Sequence, residues 1–82
     1  MIIFRNYFTF DKNGKLLKKS YTYKTALKYL PQFGQIVENR VYDDNTEFNI
    51  YYNDYNQITR CEVMEKGLFK EIPLKNNYRW SK

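Results

Sequence analysis

From Ile2 to Phe10 the chain alternates with a period of two, the pattern of a strand. Ile2, Phe4, Phe8 and Phe10 fall on one face with Asn6 among them, and Ile3, Arg5, Tyr7 and Thr9 fall on the other. Asp11-Lys12-Asn13-Gly14 follows. Asn-Gly between two strand-like runs is the strongest short-range hairpin signal, because both residues tolerate positive φ. A two-residue turn at Asn13-Gly14 sets Phe10 opposite Leu17, Phe8 opposite Lys19 and Phe4 opposite Tyr23. Leu17, Tyr21 and Tyr23 then join the Phe face. A three-residue loop slips the register by one and brings Lys18 and Thr22 there instead. The two-residue turn is the preferred reading, and either one commits the chain to a sheet.

Thr22–Leu30 reads as a helix. Thr22 can cap it, and Ala26, Leu27 and Leu30 fall at i, i+1 and i+4 with Tyr23 one turn earlier. Pro31 disfavours helical geometry at Leu30, and Gly34 suits the exit. Strand signals then return at Ile36–Tyr42, Glu47–Tyr52, Ile58–Met64 and Leu68–Leu74, separated by polar turns. Pro73 confines the end of the last one to an edge. The expected fold is a small α+β domain: an antiparallel sheet of about six strands in the order β-β-α-β-β-β-β, with one short helix packed on one face. All 82 residues fit one domain, since no linker or repeat interrupts them.

A chain this short buries only roughly 60–65% of the surface it exposes when unfolded. Cys61 is the only cysteine and there is no histidine, so neither a disulfide nor an evident metal staples the fold. Nine tyrosines, six phenylalanines and one tryptophan supply the core instead. The cysteine usage, the absence of a signal-like start and the absence of a long apolar run point to a cytoplasmic protein with no membrane segment.

Charge is laid out in blocks. Residues 1–34 sum to +6, residues 35–65 to −5 and residues 66–82 to +4. Lys15, Lys18, Lys19, Tyr21, Lys24 and Lys28 form the first candidate surface, for a partner or for nucleic acid. Lysines can neutralise phosphates while a tyrosine stacks on bases. The plainer reading is a solvated face that keeps a small protein in solution. Lysine outnumbers arginine here, which disfavours base-edge readout. The second candidate surface, for a protein partner, is Asp43, Asp44, Glu47, Tyr51, Tyr52, Tyr55 and Trp80. The acidic turn could present charge to a basic groove, although Asp and Asn are also good turn formers. It lacks the glycine and distal glutamate of a calcium loop. Adjacent Tyr51 and Tyr52 show one ring on each sheet face, and tyrosine gives contact area at low entropic cost. Trp80, near Tyr78 and Arg79, has the composition of a binding hot spot or of a plug for the sheet end.

Little points to catalysis. The commonest general base is missing. Cys61 lies mid-strand between Arg60 and Glu62 with no base partner, so a buried structural thiol is expected. No nucleophile motif and no Gly-rich phosphate loop occurs. No catalytic residue, metal site or cofactor is expected.

In size and composition, with many Asn, Lys, Tyr and Ile and few Ala or Gly, the chain resembles the small accessory proteins of AT-rich bacterial phages. That resemblance implies a non-enzymatic inhibitor of host machinery, of the anti-CRISPR or anti-defence type. The expected function is a protein-binding module, an inhibitor of a nucleic-acid-processing complex. The alternative is direct DNA or RNA binding through the basic hairpin and helix. An open sheet edge also admits a homodimer.

Overall fold

The computed structural model describes residues 1–74. It shows a six-stranded antiparallel sheet with one short helix. The strands are β1 (Ile2–Phe10), β2 (Leu16–Ser20), β3 (Gln35–Tyr42), β4 (Glu47–Tyr52), β5 (Ile58–Glu65) and β6 (Leu68–Ile72). The helix α1 (Tyr23–Lys28) lies between β2 and β3 in the chain. Across the sheet the order is β2-β1-β3-β4-β5-β6. The last four strands form the expected meander. The first hairpin is turned so that β1, not β2, pairs with β3. Strands β2 and β3 thus run parallel to each other on either side of β1, and α1 must cross over β1 to join them. This explains why the helix packs on β1 and β2. No helix among the described residues is long and apolar enough to cross a membrane.

The hairpin combines both readings of its sequence. Gly14 N donates to Asp11 O and Asp11 N to Lys15 O, each at 3.0 Å. The Asp11 carboxylate also accepts the N–H groups of Asn13 and Lys15 at 2.9 Å. Gly14 takes a positive φ of 82°, whereas Asn13 does not. The loop is therefore three residues long, not two, and Phe10 pairs with Leu16 instead of Leu17. A bulge then leaves Leu17 without a partner, so Thr9 meets Lys18 and Phe8 meets Lys19. The bulge restores the register expected of the shorter turn. Strand β2 ends at Ser20, so Phe4 does not reach Tyr23, which opens the helix instead.

Thr22 is extended (φ −131°), and its hydroxyl accepts the N–H of Thr25 at 3.2 Å, capping the helix. Lys28 sits in the last turn, where its charge suits the helix dipole. Six residues are too few for a helix to stand alone. The sheet holds it: Thr9 Oγ1 donates to the carbonyl of Ala26 at 3.0 Å. Ala26 is fully buried with Tyr7 and Ile36, flanked by Tyr23, Leu30 and Tyr52. A second cluster on the same face joins Tyr42, Phe48, Ile50, Cys61 and Ile72, again with Tyr52 against it. The opposite face carries an open groove lined by Phe8, Phe10, Val37, Tyr51 and Phe69.

Between α1 and β3 the chain turns sharply, with Gly34 N donating to Pro31 O at 3.0 Å. Phe33 is held at φ 63° while 66% exposed, and its N–H donates to Asp54 Oδ2 at 2.8 Å. A bulky side chain in the left-handed region costs roughly 1–2 kcal/mol. Gly34 has a different constraint: a Cβ there would lie 2.6 Å from the Phe10 carbonyl and 2.8 Å from Pro31 Cδ. Adjacent positions therefore respond oppositely. Phe33→Gly stabilises by up to about 1 kcal/mol, and Gly34→Ala destabilises by roughly 1–3 kcal/mol, as read from urea midpoints.

Candidate functional site

The register of β1 on β3 sets Arg5 directly opposite Arg40. Two guanidinium groups at such a position repel each other. Glu38, two residues before Arg40 and so on the same face, resolves the conflict. Its carboxylate accepts from Arg40 Nε at 2.6 Å and forms an ion pair with Arg5, whose Nε lies 3.0 Å away. The Tyr52 hydroxyl donates to its other oxygen at 2.7 Å. Glu38 is 1% exposed and Arg40 4%, whereas the Arg5 side chain remains 43% exposed. Arg40 Nη1 reaches the Tyr42 hydroxyl at 3.5 Å.

Burial opposes the charge of Arg40, but its bonds with Glu38 and Tyr42 outweigh that cost and raise its pKa further. Burial, reinforced by the bond to Glu38 and the carboxylate's charge, pushes the Tyr52 phenol far above its usual range. Burial also raises Tyr7 and Tyr23, with the Glu38 charge adding to both. These phenols stay neutral donors at ordinary pH. Tyr7, Tyr23 and Tyr52 form a chain of rings with centroids 5.7 and 5.1 Å apart. Together with Arg5, Glu38, Arg40 and Asn56 they line a cavity of about 490 Å³.

The basic candidate residues gather elsewhere. Lys15, Lys18, Lys19, Tyr21, Lys24 and Lys28 are all exposed, on or beside β2 and α1. Lys18 Nζ lies 5.2 Å from the Tyr29 ring and Lys19 Nζ 6.0 Å from the Phe8 ring, so lysines flank both faces of the edge strand. Tyr21 is 76% exposed, and Leu16, Leu17, Leu27 and Tyr29 are also exposed on β2, α1 and their flanks.

The acidic set is not brought to that surface. Asp43 and Asp44 lie at the far end of β3, where Asp43 pairs with the Met1 amino group at 3.4 Å. Asp44 Oδ1 accepts the N–H of Thr46 at 3.0 Å, and Glu47 accepts from Asn39 at 3.0 Å. The Tyr51 hydroxyl donates to Glu62 at 2.8 Å, with Arg60 4.0 Å over its ring. Tyr52 is committed to Glu38, while Tyr55 stands 77% exposed in the turn after β4. Trp80 lies outside the described residues. Cys61 is fully buried, as expected of a structural thiol, and burial pushes its pKa up to about 11.

The charged centre at Arg5, Glu38 and Arg40 was not singled out by sequence reasoning. A usable signal exists: in Ile36–Tyr42, opposite charges at i and i+2 share a face with Ile36 and Tyr42. No protein-family model matches the chain, and no curated protein or solved structure matches it significantly.

Glu38→Gln removes the carboxylate that Arg40 and Arg5 share. It is expected to cost about 3–5 kcal/mol of stability by urea titration. Alkaline pH tests the burial of Cys61. Below its ordinary pKa of 9.0 the thiol is neutral in both states and contributes no pH dependence. Above that the unfolded thiol ionises first, so stability falls as pH rises through the folded value of about 11. Cys61→Ala removes that share of the decline, leaving the share due to the raised tyrosines.

Proposed function

We propose that the chain is a non-enzymatic protein-binding module that docks an acidic partner surface through β2 and α1. One observation carries this reading. Residues 12–34 contain six lysines and no acidic residue, and the same segment exposes Leu16, Leu17, Tyr21, Leu27 and Tyr29. Lysines on an edge strand also deter unwanted pairing of sheets. That role leaves unexplained why Tyr21, Leu27 and Tyr29 are exposed beside them. An apolar centre with a polar rim is the anatomy of an interface, and uniform positive charge selects an acidic partner and speeds the encounter. The narrower reading is an inhibitor of a nucleic-acid-processing complex, of the anti-CRISPR or anti-defence type, in the cytoplasm. It rests on the likeness in size and composition to phage accessory proteins.

A second reading is direct nucleic-acid binding. It is favoured by Tyr21, which stands open to stacking between Lys19 and Lys24 in the chain.

One pair of measurements separates the two. Tagged protein is expected to retain a partner from lysate at a fixed stoichiometry. The triple change Lys18→Glu, Lys24→Glu and Lys28→Glu releases it, and Tyr21→Ala weakens it by about tenfold, or about 1.4 kcal/mol. Stability to urea stays unchanged in these variants. Absence of any stoichiometric partner, together with binding to short DNA or RNA whose affinity falls steeply with salt, replaces the first reading with the second.

A further inference from the structure

The cavity between α1 and the sheet uses none of the surface lysines. Its wall combines three features that point to a ligand. First, Arg5 directs Nε at Glu38, 3.0 Å away, yet a guanidinium has five donors. The remaining donors belong to a half-exposed side chain that lines the cavity. Second, two arginines against one glutamate leave the lining with a net positive charge, and the surrounding phenols remain neutral. Third, the Tyr23 hydroxyl is buried and has no hydrogen-bond partner among the described residues. A buried donor left unpaired is destabilising; Ser20 Oγ is unpaired in the same way but lies outside this cavity, whereas the Tyr23 side chain lines it.

The volume of about 490 Å³ falls within the range of small-molecule sites, roughly 300–1,000 Å³. The ring chain of Tyr7, Tyr23 and Tyr52 offers flat aromatic surface, and the Asn56 amide adds a polar group from the turn after β4. We propose that this cavity binds a small ligand consisting of an aromatic ring that carries an anionic group, the anion meeting Arg5 and the ring lying against the tyrosines. A phosphate or a carboxylate satisfies that chemistry. Bidentate pairing with a guanidinium suits both.

The test is titration of the full chain, followed by calorimetry and by amide and side-chain chemical shifts. The probes are adenosine and uridine monophosphates for the phosphate form and indole-3-acetate for the carboxylate form. Adenosine and inorganic phosphate, each with half of the required chemistry, are the controls. At least one ring-bearing anion is expected to bind with Kd below about 1 mM, and either control at least about tenfold more weakly. The form that binds identifies the anion. Arg5→Gln reduces that affinity by at least about tenfold. Asn56→Gly, which keeps the positive φ of 69°, reduces it by a smaller factor. Tyr23→Phe raises the Tm of the free protein and weakens binding, a pairing that a purely structural hydroxyl does not produce. The proposal is overturned if none of the three anions shifts the resonances of Arg5, Tyr7, Tyr23 or Tyr52 at millimolar concentration. Affinity indifferent to both Arg5→Gln and Asn56→Gly overturns it equally.

Discussion

The carboxylate of Glu38 is the group on which the arrangement of this sheet depends. Pairing β1 with β3 brings Arg5 against Arg40, an opposition that would disfavour the register if nothing lay between them. Glu38 turns that liability into a bridge across the two strands, and Tyr52 extends the bridge to β4. The bridge also divides the interior. Tyr7, Ala26 and Ile36 lie in one apolar cluster under the helix, and Tyr42, Phe48, Ile50, Cys61 and Ile72 lie in the other. Tyr52 packs against both. A buried ion pair adds less net stability than apolar packing of the same volume, but it is intolerant of misalignment. Shifting β1 by one residue would turn Arg5 to the opposite face and leave Glu38 and Arg40 with a changed partner set.

The helix illustrates the economy that a chain of 82 residues imposes. It has too few turns to be stable by itself and too few side chains to cover the sheet. One alanine seated at full burial and one threonine bond from β1 anchor it. Its sequence lysines face water, so the element that completes the interior also carries part of the charged exterior.

Much of this architecture is legible in the sequence, and the exceptions have specific causes. The β1 boundaries and the Thr22 cap follow from local chemistry and stand as read, whereas the helix ends at Lys28, two residues short of the expected Leu30. The hairpin could not be settled locally, because the loop and the bulge at Leu17 make two compensating one-residue changes. Alternation separated the faces of β1 but did not say that the helix covers Tyr7 and Thr9, leaving Phe4 exposed. That choice is made by the crossover from β2 to β3, a long-range property. Charge counting could not reveal the buried centre, because its two members cancel within the −5 of residues 35–65. Glu38 and Arg40 neutralise each other out of solvent, which a sum of charges does not register. The lysine surface, by contrast, was legible because exposed residues need no partner to be placed there.

Strand β1 precedes the other strands in sequence but lies inside the sheet, with β2 on one side and β3 on the other. During synthesis the hairpin can close as soon as its own residues have emerged. The other margin of β1, and Arg5 with it, must wait until Arg40 has been made. Throughout that interval the nascent chain presents an unpaired strand margin beside a ring-rich face, a natural substrate for chaperones and for mispairing. The residues that close it include Glu38 and Arg40, the oppositely charged pair that also holds Arg5 in register.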